Sequence, residues 1–110
     1  MKRFKSEPFP TDTPRSYPTG KVRELFAAIL KLKTVDEAAK FFRDLLTMAE
    51  ITEFANRWQM VKLLVKGESY ATIAQKLKVS TATVTRVAHW LKNGFGGYRL
   101  IAKRVFPPHS

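Results

Sequence analysis

The sequence predicts an all-α domain of about six helices, and three observations carry that prediction. All six prolines (Pro8, Pro10, Pro14, Pro18, Pro107 and Pro108) lie outside residues 19–106, and a proline inside a helix costs about 3 kcal/mol. Within that stretch the apolar residues recur at the spacing that lines one face of a helix, with no strand-like alternation. Glycines and capping residues then cut the stretch into helix-sized pieces.

Residues 1–19 read as a flexible, partly extended, proline-rich basic arm. Lys2, Arg3 and Lys5 have no apolar run behind them, so a secretory signal is not expected here. Gly20 precedes the first period: Val22, Leu25, Phe26, Ile29 and Leu30. Thr34 with Glu37 forms a capping-box pattern, in which each side chain satisfies a backbone N–H at the helix start. The stripe behind it is Val35, Ala38, Phe41, Phe42 and Leu45. Thr47 with Glu50 repeats the pattern for a third helix. Its stripe is Ile51, Phe54, Ala55, Trp58, Val61, Leu64 and Val65, and Gly67 ends it as a C-cap glycine. The Phe and Trp side chains of these three helices are expected to form the core.

Residues 69–92 read as a short helix, a tight turn and a second helix. Ile73, Ala74 and Leu77 face inward on the first, Val79 packs in the turn, and Val84, Val87, Ala88 and Leu91 face inward on the second. Ala74 and Val84 are small enough for two steeply crossed helices to approach closely. This spacing, with the run from Val79 to Arg86, is a helix-turn-helix signal. The exposed set is then Lys78, Ser80, Thr81, Ala82, Thr83, Thr85, Arg86 and His89. It is rich in small hydroxyls, carries an Arg and has no acid. Hydroxyls bond phosphates or base edges without blocking approach to a groove, and Arg bonds guanine bidentately. The competing reading is a helical hairpin whose hydroxyls only solvate it. Lys78 stands where such turns often hold glycine; a left-handed backbone there costs about 1 kcal/mol. Asn93 and Gly94 stop the second helix. Gly97 releases a last one through Tyr98, Leu100, Ile101, Val105 and Phe106, and residues 107–110 are a tail.

Charge is uneven along the 110 residues. The net value is +11. Residues 1–20 contribute +2, and residues 21–56 carry six charges of each sign. Residues 57–110 carry ten positives against Glu68 alone, a net +9. A basic half beside a neutral half is the footprint expected for a polyanion partner, although a solubilising role or an acidic protein partner would produce it too. The absence of cysteine excludes disulfides and thiolate metal sites. No apolar run is long enough to span a membrane. The only histidines are His89 and His109, and Asp occurs only at 12, 36 and 44. No metal-ligand cluster, phosphate-cradling glycine loop or nucleophile–base pattern is present, so an enzyme is not expected. The chain is expected in the cytoplasm, at the nucleoid.

Beyond the generic motif, several pieces occur in order: Leu46-Thr47 with Glu50, Asn56-Arg57, the run from Leu64 to Glu68, and the run from Ala82 to Arg86. This set resembles the Trp repressor family, and the segment from Leu91 to Tyr98 resembles its YerC/YecD-type branch. The resemblance covers residues 21–106. It implies a six-helix chain in an intertwined homodimer whose two recognition helices enter successive major grooves of a near-palindromic operator. The oligomer agrees with the thin core expected of a chain this small. The resemblance also implies a tryptophan pocket made by Thr47, Arg57 and Arg86. Two pocket positions depart from the family pattern: Val87 replaces a glycine and Trp90 a serine. Both are bulky and are expected to fill the cavity, so no cofactor is expected. Trp90 then either takes the cofactor's place and holds the reading head, or packs as ordinary core.

The function expected is a sequence-specific double-stranded DNA-binding regulator of transcription, a repressor by resemblance, reading the major groove with residues 80–92. The alternatives are a non-sequence-specific nucleic-acid binder and a helical protein–protein adaptor.

Overall fold

The computed structural model describes residues 12–106. Six helices follow in order: α1 (Gly20–Ile29), α2 (Val35–Leu45), α3 (Met48–Val65), α4 (Tyr70–Leu77), α5 (Thr81–Asn93) and α6 (Gly97–Val105). There is no strand among the described residues. The all-α expectation and the six-helix count both hold.

The caps explain why the helices start and stop here. Thr34 Oγ1 accepts from the Glu37 N–H at 3.0 Å. The Glu37 carboxylate reaches one residue further back than a capping box requires, accepting from the Lys33 N–H at 2.9 Å. At α3 the box is complete: Thr47 Oγ1 accepts from the Glu50 N–H, and Glu50 accepts from the Thr47 N–H at 2.9 Å. Gly67, at φ +90°, closes α3. Its N–H donates to Leu64 O at 3.0 Å, and the Glu68 N–H donates to Leu63 O at 3.1 Å. That pair of bonds is a Schellman motif, which satisfies carbonyls orphaned at the helix end.

α3 is the axis of the molecule, packing against α2, α4, α5 and α6. The core consists of Met60, Val61 and Leu63 of α3, Ile73 and Ala74 of α4, Val84 and Val87 of α5, and Ala102 of α6. Ala88 is buried beside them. Met60 and Leu63 were missing from the expected stripe of α3, whereas Val65, which was in it, is 47% exposed. With neighbours on several sides, the second half of α3 buries more than one face.

One expectation is overturned. No residue before Met60 is buried among those described. Phe26 and Phe54, expected in the core, are 38% and 48% exposed, and Phe41 and Phe42 are only half-buried. An apolar stripe is buried only when a second layer meets it. α2 meets α3 alone, and α1 takes part in none of the principal helix packings. A single chain therefore leaves much of the apolar surface of both helices uncovered.

The arm expected over 1–19 falls partly outside the described residues, as do Lys2, Arg3, Lys5 and the tail 107–110. From Asp12 onward the segment is placed. The Tyr17 N–H donates to Pro14 O at 3.0 Å, making a turn, and the Tyr17 ring meets Phe26 and Phe95 edge-on.

Candidate nucleic-acid interface

The turn between α4 and α5 is built as the spacing required. Lys78 adopts the left-handed conformation, φ 59° and ψ 46°. The Val79 N–H then reaches Ala74 O at 3.0 Å. Ile73 and Val84 are fully buried at the α4–α5 crossing and Ala74 is 8% exposed. Small and β-branched side chains let the two helices cross closely, so α5 is held by core contacts rather than by its own exposed face.

That exposed face carries the expected residues. Lys78, Ser80, Thr81, Ala82, Thr85, Arg86 and His89 are all exposed, whereas Thr83 is half-buried. The hydroxyls divide by role. Ser80 is the N-cap of α5: its Oγ accepts from the Thr83 N–H at 3.1 Å and pairs with Thr83 Oγ1 at 2.9 Å. Ser69 and Thr72 do the same at α4, so each helix of the motif opens with a serine paired to a threonine three residues on. Thr85 Oγ1 donates to Thr81 O at 2.9 Å. Asn93 Nδ2 lies 3.5 Å from His89 Nδ1, one turn further along the helix. No acid stands on this face. In the preceding link, Glu68 is ion-paired to Lys76 of α4 at 2.9 Å. Lys92 of α5, with Arg99, Lys103 and Arg104 of α6, is exposed as well.

Behind this exposed face lies a cleft of about 1060 Å³ between α3 and α5. Four of the five residues expected around an effector line it: Arg57, Arg86, Val87 and Trp90. Thr47 does not. Its side chain is spent on the α3 cap, and Met48 and Ala49 stand in the wall instead. Val87 is buried and Trp90 half-buried. They form wall and leave the cleft open, so the expectation that they fill the cavity is not met: each side chain packs at the edge of the space instead of projecting across it. Thr83 borders the same cleft.

The sequence reading missed Glu53, Asn56 and Tyr98, and Asp12 and Thr13 from the N-terminal segment, which all line the cleft. Glu53 was discoverable: it stands four residues before Arg57, where helical ion pairs form. The two are paired in the structure, with the Arg57 guanidinium also 5.7 Å from the Phe54 ring centroid. Tyr98 was not discoverable from spacing, because α6 reaches it only by folding back. Burial raises the Tyr98 pKa above the ordinary value of 10.0, and the Arg57 charge partly opposes that rise. Gly94 allows Trp90 its place. A Cβ at Gly94 would stand 2.5 Å from Trp90 O and 2.8 Å from its ring Cε3.

The fold and this face define a helix-turn-helix protein. Comparison with known proteins makes the family specific. The model of the Trp repressor protein family matches residues 20–105. The uncharacterized protein YerC of Bacillus subtilis (strain 168) is 38% identical over 82 residues, covering 74% of this chain and 79% of YerC. The crystal structure of a TrpR-like protein from Eubacterium eligens superposes with a TM-score of 0.80 at 37% identity, over 88% of this chain and 100% of that one. A candidate Trp repressor from Staphylococcus aureus gives 0.77 at 39% identity, over 84% and 93%. The chain belongs to the Trp repressor family.

Among the described residues no helix is long and apolar enough to cross a membrane. The same residues hold no group of three or more His, Asp or Glu able to bind a metal ion.

Proposed function

We propose that this protein is a homodimeric, sequence-specific regulator that binds double-stranded DNA through α5 and represses transcription. The observation that carries the reading is the exposed face of α5: Ser80, Thr81, Thr85, Arg86 and His89, with no acid, on a helix anchored by the core from behind. The N-terminal turn of such a helix enters the major groove. In this reading Arg86, one turn further along α5, bonds a guanine edge, and Lys78, in the turn before the helix, bonds a phosphate. The +9 carried by residues 57–110 adds the non-specific attraction.

The dimer is supported by the apolar surface that one chain leaves open. Val22 and Phe26 of α1, Leu30 at its C-cap, Val35 and Leu45 of α2, and Met48 and Phe54 of α3 are all more than a third exposed. This region is electrically neutral, so two copies meet there without like-charge repulsion. A two-fold pair of α5 helices reads half-sites about 34–36 Å apart.

The protein works without L-tryptophan. The support is in the residue types: Val87 and Trp90 stand where the family pattern has a glycine and a serine, and they add bulk to the wall of the Arg57–Arg86 cleft.

The test is selection from a random duplex pool at about 150 mM salt, where screening weakens purely electrostatic contacts, with and without L-tryptophan. A palindrome enriched equally in both supports the reading in full. Enrichment only with L-tryptophan overturns the cofactor statement. No enrichment points to a non-specific binder. Arg86→Ala is expected to weaken operator binding by about 1–3 kcal/mol and to relax the preference at one base position.

A further inference from the structure

We propose that Tyr17 is a positioning residue for the DNA-reading head, bracing α5 against α1; the inference rests on the DNA-binding role proposed above. Its ring stands between Phe26 of α1 and Phe95 of the α5–α6 link. The centroids are 6.1 Å away on each side, and the rings are inclined at 78° and 71°. Both are edge-to-face contacts, the geometry that aromatic quadrupoles favour.

The brace is anchored at both ends. On the α1 side, the Tyr17 N–H closes a turn onto Pro14 O, and Arg23 donates to Pro18 O at 3.4 Å. On the other side, Phe95 directly follows Gly94, the C-cap of α5. Trp90, Tyr98 and Pro14 close around the same small cleft of about 530 Å³. Phe95 is 65% exposed and Tyr17 45%, so neither belongs to the core that holds the fold. What the contact adds is a link. α1 takes part in none of the principal helix packings, and the three rings tie it to the end of the recognition helix. With α1 in the dimer platform, the angle between α1 and α5 sets how the two recognition helices stand relative to each other. Removing the ring then disturbs alignment with a two-half-site operator, not the affinity of a single helix for phosphate.

The experiment compares Tyr17→Ala and Tyr17→Phe with the full chain. Binding is measured to the selected operator and to a random duplex across a salt series. Amide exchange is followed at residues 90–98 without DNA. Tyr17→Ala is expected to lose about tenfold in operator affinity, the scale of one or two lost aromatic pairs. Random-duplex binding and the salt slope stay unchanged because no charge is removed. Exchange at residues 90–98 speeds up, and Tyr17→Phe restores both. Operator binding at full strength in Tyr17→Ala, or exchange as slow as in the parent, overturns the brace. So does a loss of helical circular dichroism, which would mark Tyr17 as part of the fold. If the parent selects no operator, the DNA reading fails and the exchange measurement alone decides the brace.

Discussion

Residues 20–56 and residues 57–106 are both helical, yet they differ in what each can finish alone. The first region is capped as carefully as the second, through Thr34 and Thr47. It has no buried residue and balanced charge. The second region contains the whole core from Met60 to Ala102 and all of the +9 excess. Capping and amphipathic spacing therefore specify helices without specifying what covers them. One region is a helix-turn-helix unit folded on its own core, and the other is a set of helices whose apolar faces are left largely uncovered. Burial contributes about 25 cal/mol per Å² of apolar surface, so the exposed stripes of α1 and α2 represent stabilisation that a single chain does not collect.

The comparison breaks most decisively at Ile73, which is fully buried. Ile73→Asp places a charge in the α4–α5 crossing and is expected to cost about 5 kcal/mol or more, read as loss of cooperative urea unfolding. A folded variant would mean that the reading head is not held where its core lies. The sharper test is in the other region. Phe54→Ala changes a residue that is 48% exposed in one chain, and a surface substitution costs within about 0.5 kcal/mol. In a dimer the expected cost is about 3 kcal/mol, and the melting temperature should rise with protein concentration. A small, concentration-independent loss would remove the partner from the account.

Two smaller effects probe the reading head itself. Gly94→Ala forces the new methyl onto Trp90, and overpacking of this kind costs about 2 kcal/mol. Thermal melting reads the loss, and a shifted Trp90 emission reports the movement. Lys78→Gly relieves a left-handed non-glycine residue and is expected to gain about 1 kcal/mol in stability. If Lys78 faces a phosphate, the same change lowers the salt slope of DNA binding by about 1. Greater stability with an unchanged slope would leave Lys78 a turn residue only.

How legible each feature was depends on its range along the chain. The helix starts at Thr34 and Thr47 were legible because a cap involves residues three apart, whereas Ser80, read only as an exposed hydroxyl, caps α5 in the structure. The α4–turn–α5 unit was legible for the same reason, down to the left-handed Lys78. The cleft was legible only in part. Arg57 and Arg86 came from family resemblance, whereas Tyr98 and the segment at Asp12 and Thr13 joined the site through contacts between distant parts of the chain. The exposure of Phe26 and Phe54 was not legible at all. An apolar stripe has the same spacing whether it packs within its own chain or against another.

The sequence by itself determined the six helices, the helix-turn-helix and the charge asymmetry, because propensity, capping and formal charge are local properties. Only the tertiary structure decided which stripes are buried, that Thr47 caps α3 instead of lining the cleft, and that Tyr17 reaches Phe95. Each of those depends on which surfaces meet when the helices pack, and packing is a competition among distant residues that no single segment encodes.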